Sequence, residues 1–392
     1  MPATPNRQQA NPQRLIYLVA ALLALQPLTT DLYLPGLAAL QDELHSRGEQ
    51  VRYSLTSLLL TFGLSQLLWG KLALKVPRAA ILYLGLGLHA VAAIGGSLAT
   101  DIDWLIITRA VQGAGLGAVI IAARAMMHGY HPANSTDQLA RSLGLVALVA
   151  TLTIPLGALL VTAAGWRAAV LAPALLSAGV LLWLVNGKPE AGLHSAPERP
   201  VALAKILRQP VFYRYTLLNS LTYATLVGLL SNAPLIFISH QHVSPVWFGL
   251  VMCVMVMGFA AGTRLCRWLL QSKSLRQTLL VASALNLVAA VLLASLVLFS
   301  WLTLITFLLP GLLFMLAHGI NHSCAQSQVL KPFDGHSLQV SAFNGSLMML
   351  ATFAISSALP GITDAGTQLL ACLAGLMMTT AVASLWAARS SR

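Results

Sequence analysis

An all-α membrane fold of twelve transmembrane helices in two six-helix halves, with both termini cytoplasmic, is what this chain of 392 residues predicts. Three observations carry the expectation. Only 9% of the residues are charged and 57% are hydrophobic, whereas a globular domain keeps about a quarter of its residues charged. Twelve apolar stretches of membrane-crossing length fill the chain, and positive charge gathers in every second gap between them.

A helix needs about 20 mainly apolar residues to cross the hydrocarbon core. The stretches read 15–34, 53–73, 79–99, 104–127, 139–163 and 166–185 in the first half. The second half reads 212–238, 246–270, 275–299, 302–329, 338–359 and 365–387. Backbone groups in lipid must be satisfied within the segment, so these are helices, and the ten-residue alternation of a membrane barrel is missing. The first stretch follows a basic tail but shows Gln26-Pro27 where a small-residue cleavage site would stand, and is read as a retained helix. Residues 187–210 hold four basic residues and several prolines, and divide the spans six and six. The predicted organisation is therefore a tail (1–14), an N-terminal half (15–186), a cytoplasmic linker (187–210), a C-terminal half (211–388) and a short tail (389–392).

The net charge of +12 would suggest nucleic acid in a soluble protein. Here 19 of the 23 Lys and Arg fall on the tails and even-numbered gaps, while Asp42, Glu43, Glu49, Asp101, Asp103 and Asp364 occupy the odd ones. By the positive-inside rule this is a topology signal, with no bearing on nucleic acid. Four cysteines lie within spans without CxxC spacing, which argues for packing residues over a disulfide framework or zinc site. No nucleotide-binding loop, catalytic triad or cofactor motif occurs. The chain is read as a non-enzyme without cofactors, whose partners are lipid, a small molecule and protons, and which acts as a monomer.

Ionisable groups at membrane depth are costly, and are functional candidates by default. Asp31 is the one carboxylate convincingly inside a span, so a proton carrier made of a titratable acid has to be Asp31. A static role, capping an interface or pairing with Arg52, is the alternative. Arg109, always charged, is placed to hold the local potential positive, or else snorkels to the outer surface. Gln112 and Gly113 share its helix face. The second half offers uncharged polar groups: Asn219, Tyr223 and Asn232 on the seventh span, His318, Asn321 and His322 on the tenth, Asn344 on the eleventh. His318 and His322 have i, i+4 metal-binding spacing but no third ligand nearby, so cargo binding or helix contact is preferred. Prolines and small-residue runs, such as Gly113 to Gly117, read first as kinks and close packing.

Asp31-Leu32-Tyr33-Leu34-Pro35 resembles the D-x-Y-L-P signature of Bcr/CflA-type drug/proton antiporters of the major facilitator superfamily. Arg109-Ala110-Val111-Gln112-Gly113 resembles that superfamily's R-x-x-Q-G element. Ile154-Pro155-Leu156-Gly157, with Trp166-Arg167 beyond, resembles the antiporter element of helix five. The loop after helix two departs from the family: in Gly70-Lys71-Leu72-Ala73-Leu74-Lys75-Val76-Pro77-Arg78-Ala79, Leu74 replaces the usual acid. The resemblance implies proton coupling through Asp31 and Arg109, cargo contacts from Tyr33, Gln112 and the second-half polar set, and gating at Gly70, Lys75, Arg78, Pro155 and Gly157. It implies efflux of drugs or amphipathic molecules across a bacterial inner membrane, in a multi-pass chain. A dedicated exporter of one metabolite such as a siderophore, a proton-coupled nutrient importer, and a non-transporting scaffold remain open alternatives.

Overall fold

A computed structural model describes residues 12–130, 135–186, 203–333, 337–359 and 367–389. Its described residues are helical almost throughout: α1 (Pro12–Asp31), α2 (Leu37–Glu43), α3 (Gly48–Leu72), α4 (Arg78–Ser97), α5 (Ile102–Tyr130), α6 (Ser135–Asn186), α7 (Leu203–Leu207), α8 (Pro210–Pro234), α9 (Pro245–Ser272), α10 (Leu275–Leu298), α11 (Leu304–Leu330), α12 (Ser337–Ala358) and α13 (Thr367–Arg389). Each of the twelve predicted stretches overlaps a helical segment, positions 365 and 366 of the last lying outside the described residues. Most of the predicted linker, 187–202, lies outside the described residues, as do both chain ends.

Local sequence explains where the helices begin. Pro210 and Pro245 open α8 and α9 at a position whose N–H would have no intrahelical partner. Ser274 with Gln277, and Thr303 with Thr306, form reciprocal caps that satisfy the first free N–H groups of α10 and α11. Gly165 breaks α6 with φ 78° and ψ 172°, so this segment is two helices meeting at a corner only glycine adopts cheaply. That corner is the boundary predicted between stretches five and six.

Ten helical segments among the described residues are long and apolar enough to cross a membrane. The broken α6 counts once among them, and α3, which carries Glu49, Arg52 and a run of hydroxyl residues, falls outside. Leu84, Val91, Leu148, Leu175, Leu298, Leu309 and Val382 point outward, each more than half exposed. Such a surface fits lipid as its solvent.

Helices α1, α3, α4, α5 and α6 pack on one another, as do α8 to α13. Two seams join the halves. In one, α3 runs along α12, with Gly63 against Met349 and Leu350 and Gly70 against Ala342. Arg52 adds a 3.3 Å bond to the Leu359 carbonyl at the end of that seam. In the other, α6 meets α9, where Gly249 lies on Pro155 and Ala158. The glycine run of α5 is packing, as expected: a Cβ at Gly113 or Gly117 would strike α3, and one at Gly115 would meet the α4 backbone at His89.

The structure adds two features that hydropathy does not disclose. Leu34–Gly36 forms a 3-10 turn after α1, leading into the short α2. A π-helical turn, Leu235–His240, extends α8.

Candidate functional site

The N-terminal half encloses its arginine. Arg109 on α5 is 1% exposed. Its guanidinium donates to Gln112 Oε1 at 2.7 Å and to the Thr29 carbonyl on α1 at 2.7 Å. It also stacks over the Tyr33 ring, 4.2 Å from the centroid. Tyr33 Oη reaches Ser54 Oγ on α3 at 3.2 Å. Arg109 is therefore no snorkelling surface residue, and Gln112 does share its face as the spacing required. Tyr33 and Gln112, expected as cargo contacts, are fully buried partners of this cation.

A residue that the sequence did not single out completes the cluster. His89 on α4 is fully buried and lies 2.9 Å from Thr29 Oγ1 and 3.4 Å from Gln112 Nε2. Its other ring nitrogen lies 2.8 Å from Ser177 Oγ on the second limb of α6. Four helical segments of the N-terminal half thus meet in one hydrogen-bonded chain, and α3 joins it through the Tyr33 ring stacked on Arg109. The signal available was an imidazole alone in the apolar run of the third span, which is individually uninformative.

Asp31 stands two residues beyond Thr29 but faces another way. It is partly buried at the last residue of α1, with the Thr30 hydroxyl between its carboxyl group and the Gln26 carbonyl. Gln26, one helical turn before Thr30 on α1, donates to Tyr223 Oη on α8 of the other half at 2.9 Å. Arg109 is bound to the Thr29 carbonyl, two residues before Asp31, rather than to the Asp31 carboxylate. Packing against α6 fixes the turn at the end of α1: a Cβ at Gly157 on α6 would overlap the Leu32 carbonyl, while Pro155 abuts Gly249 of α9.

In the C-terminal half Asn219, His318 and His322 come together, while Tyr223, Asn232, Asn321 and Asn344 each bond other residues. Asn219 Oδ1 meets His322 Nδ1 at 2.9 Å, and its amide donates to Met348 Sδ at 3.0 Å. Thr222 meets His318 Nδ1 at 3.0 Å, Thr216 donates to Asn344 Oδ1 at 3.0 Å, and Ser384 donates to Asn321 Oδ1 at 3.0 Å. The His318 and His322 rings lie 5.6 Å apart beside Phe259. Asn232 turns its amide back on the Gly228 carbonyl at 2.8 Å. Asn232 Oδ1, Asn321 Nδ2 and Asn344 Nδ2 are buried without a partner, a costly condition that a bound polar group or water would relieve. Among the described residues no group of three or more metal-ligating side chains forms. Cys266 and Cys324 touch, with 3.5 Å between sulfurs, where α9 crosses α11.

Of the residues expected to gate, Gly70 sits in the α3–α12 seam, Lys75 is exposed in the following turn, and Arg78 opens α4 as a buried side chain. Leu74 lies half-buried beside them. At the opposite end Glu43 accepts from Trp166 Nε1 at 2.7 Å and from Arg167, which also bonds the Ala99 carbonyl at 2.9 Å. That clasp ties α2 to the corner at Gly165.

Comparison with known proteins agrees with this architecture. The solved structure of a D-xylose-proton symporter superposes with a TM-score of 0.79 over 95% of this chain and 97% of that one, at 12% identity, a likeness of fold alone. Multidrug resistance protein D of Escherichia coli (strain K12) is 29% identical over 192 residues, 49% of this chain and 48% of that protein. The match thus spans about half of that relative's length. A chloramphenicol resistance protein of Pseudomonas aeruginosa is 25% identical over 81% of this chain and 78% of its own. These relatives bear out the Bcr/CflA-type resemblance. The profile of the Major Facilitator Superfamily matches residues 19–359, and the chain belongs to that family of membrane transporters.

Proposed function

We propose that this transporter is a proton-coupled exporter of drugs or other amphipathic small molecules across the bacterial inner membrane. It works as a monomer crossing the bilayer twelve times, with both termini cytoplasmic. The two halves rock about the seams α3–α12 and α6–α9, giving alternating access.

One observation carries the reading. Thr30, next to Asp31 at the end of α1, bonds the Gln26 carbonyl, and Gln26 donates to Tyr223 of the opposite half, while Arg109 is held by other acceptors. A carboxylate in direct pairing with Arg109 would be locked in its charged form. Asp31 escapes that lock. It sits where separation of the halves changes its surroundings, so loading and release of a proton follow the conformational cycle. When the halves part, the Gln26–Tyr223 bond breaks and Asp31 gains water. When they close, that bond re-forms and water leaves the carboxyl group. Cargo is met from the C-terminal half by Asn219, His322 and Phe259, with unsatisfied amides at Asn232, Asn321 and Asn344 as further hydrogen-bonding capacity.

Everted membrane vesicles test this, with chloramphenicol as the probe suggested by the relative of that name. Vesicles acidified by respiration should lose part of their pH gradient when the probe is added. Asp31→Asn should abolish the response at equal protein level. No response from the parent protein, or an unchanged response from Asp31→Asn, refutes the reading.

A further inference from the structure

His89 is a buried ionisable side chain that the proton-coupling account leaves unused. Its surroundings are specific. From α1 it meets the Thr29 hydroxyl, from α5 the Gln112 amide with the charged Arg109 behind, and from α6 the Ser177 hydroxyl. Arg109 is the one charged group in this cluster.

Donor and acceptor inventory decides how the cluster is wired. A guanidinium only donates. The end of Gln112 that lies 2.7 Å from Arg109 must therefore be its carbonyl oxygen, since the flipped amide would set donor against donor at a site closed to water. The Gln112 NH2 then points at His89 Nε2. The Thr29 hydroxyl lies nearer the same nitrogen, at 2.9 Å, and the arrangement that opposes no two donors has both groups donating to Nε2, so the ring proton sits on Nδ1 and is donated to Ser177 Oγ. A second ring proton would place a donor against the Gln112 NH2 and a positive charge beside Arg109.

We infer that His89 is a positioning residue for the coupling site: by accepting at Nε2 it keeps the Gln112 carbonyl turned toward Arg109, and through Thr29 it braces the α1 turn that carries Asp31. Thr29 links the two effects, because its carbonyl receives Arg109 while its hydroxyl meets His89. The functional part of this inference rests on the exporter reading; the tautomer does not.

Three substitutions separate positioning from plain packing. His89→Gln puts an oxygen where Nε2 lies and retains the acceptor. His89→Asn reaches only as far as the Ser177 side, and His89→Leu offers neither bond. With the vesicle assay above, His89→Gln should stay within about twofold of the parent turnover, whereas Asn and Leu should fall about tenfold, the effect of one lost interaction of this kind, with the KM for chloramphenicol unchanged. Asn as active as the parent, with Gln inactive, would show that only the Ser177 contact matters and overturn the inference; so would full activity in all three. The second measurement needs neither cargo nor a folded Leu variant. In 15N-histidine-labelled protein in bilayers, subtracting the His89→Gln spectrum isolates the His89 signals. A proton on Nδ1 and a bare Nε2 are expected; a protonated Nε2 overturns the inference. If the parent shows no transport response, the exporter reading fails while the tautomer result still decides the wiring.

Discussion

Replacing Arg109 by lysine keeps the charge and tests the geometry. The guanidinium spans two acceptors in different helices, Gln112 Oε1 and the Thr29 carbonyl, each at 2.7 Å, and lies over the Tyr33 ring. An ammonium is a compact point charge and cannot hold both acceptors while stacking on the ring. The variant loses one charge-assisted hydrogen bond, about 2 kcal/mol, and much of a desolvated cation–π contact, about 1 kcal/mol more. For a chain of this size, unfolding entropy per residue converts about 3 kcal/mol into a fall of about 4 °C in thermal midpoint. Tryptophan fluorescence of detergent-purified protein measures the midpoint, and the vesicle response measures turnover. Both should fall together, because the same bonds hold the α1 turn. The effect of Tyr33→Leu should shrink in the Arg109→Lys background, since the ring contact is already lost there. An Arg109→Lys protein with the parental midpoint and turnover, or fully additive effects of the two changes, would refute this account of the buried cluster.

Gly157→Ala should slow turnover and cost about 1–3 kcal/mol of stability, because the added methyl meets the Leu32 carbonyl one residue from Asp31; Gly179→Ala, with nothing within 4 Å, is the control and should change neither. Glu43→Gln weakens the clasp on Arg167, but the pair is 38% and 51% exposed, so the loss should stay below about 1 kcal/mol and the difference in melting temperature should vanish in high salt. A large, salt-insensitive loss would contradict that. His322→Ala should raise the KM for the probe about fivefold with turnover intact, the size of one lost neutral hydrogen bond; an unchanged KM would remove His322 from the cargo site.

Much of the fold was legible because lipid imposes a simple rule: every crossing must be a helix of fixed minimum length, and charge must avoid it. Hence the stretches at 275–299 and 302–329 match α10 and α11 to within two residues. The second crossing was harder, since Glu49 and Arg52 extend its helix beyond the apolar run, and α3 begins five residues before position 53. Within the site, Arg109 and Gln112 were legible as an i, i+3 pair because helix geometry alone brings them together. The partners of Gln26 and His89 were not. Tyr223 and Ser177 lie far away in sequence, and only the approach of α8 to α1 and the packing of α4 on α6 set them in place. Backbone acceptors, such as the Thr29 carbonyl that holds Arg109, leave no mark on side-chain identity at all.

Proton release by purified protein tests the role of Asp31 most directly. In lightly buffered solution, adding saturating probe should release about one proton per parent molecule, because cargo and proton compete for states of the same seam. Asp31→Asn should release none while still binding the probe. Equal release from both proteins would contradict the assignment of the coupling proton to Asp31.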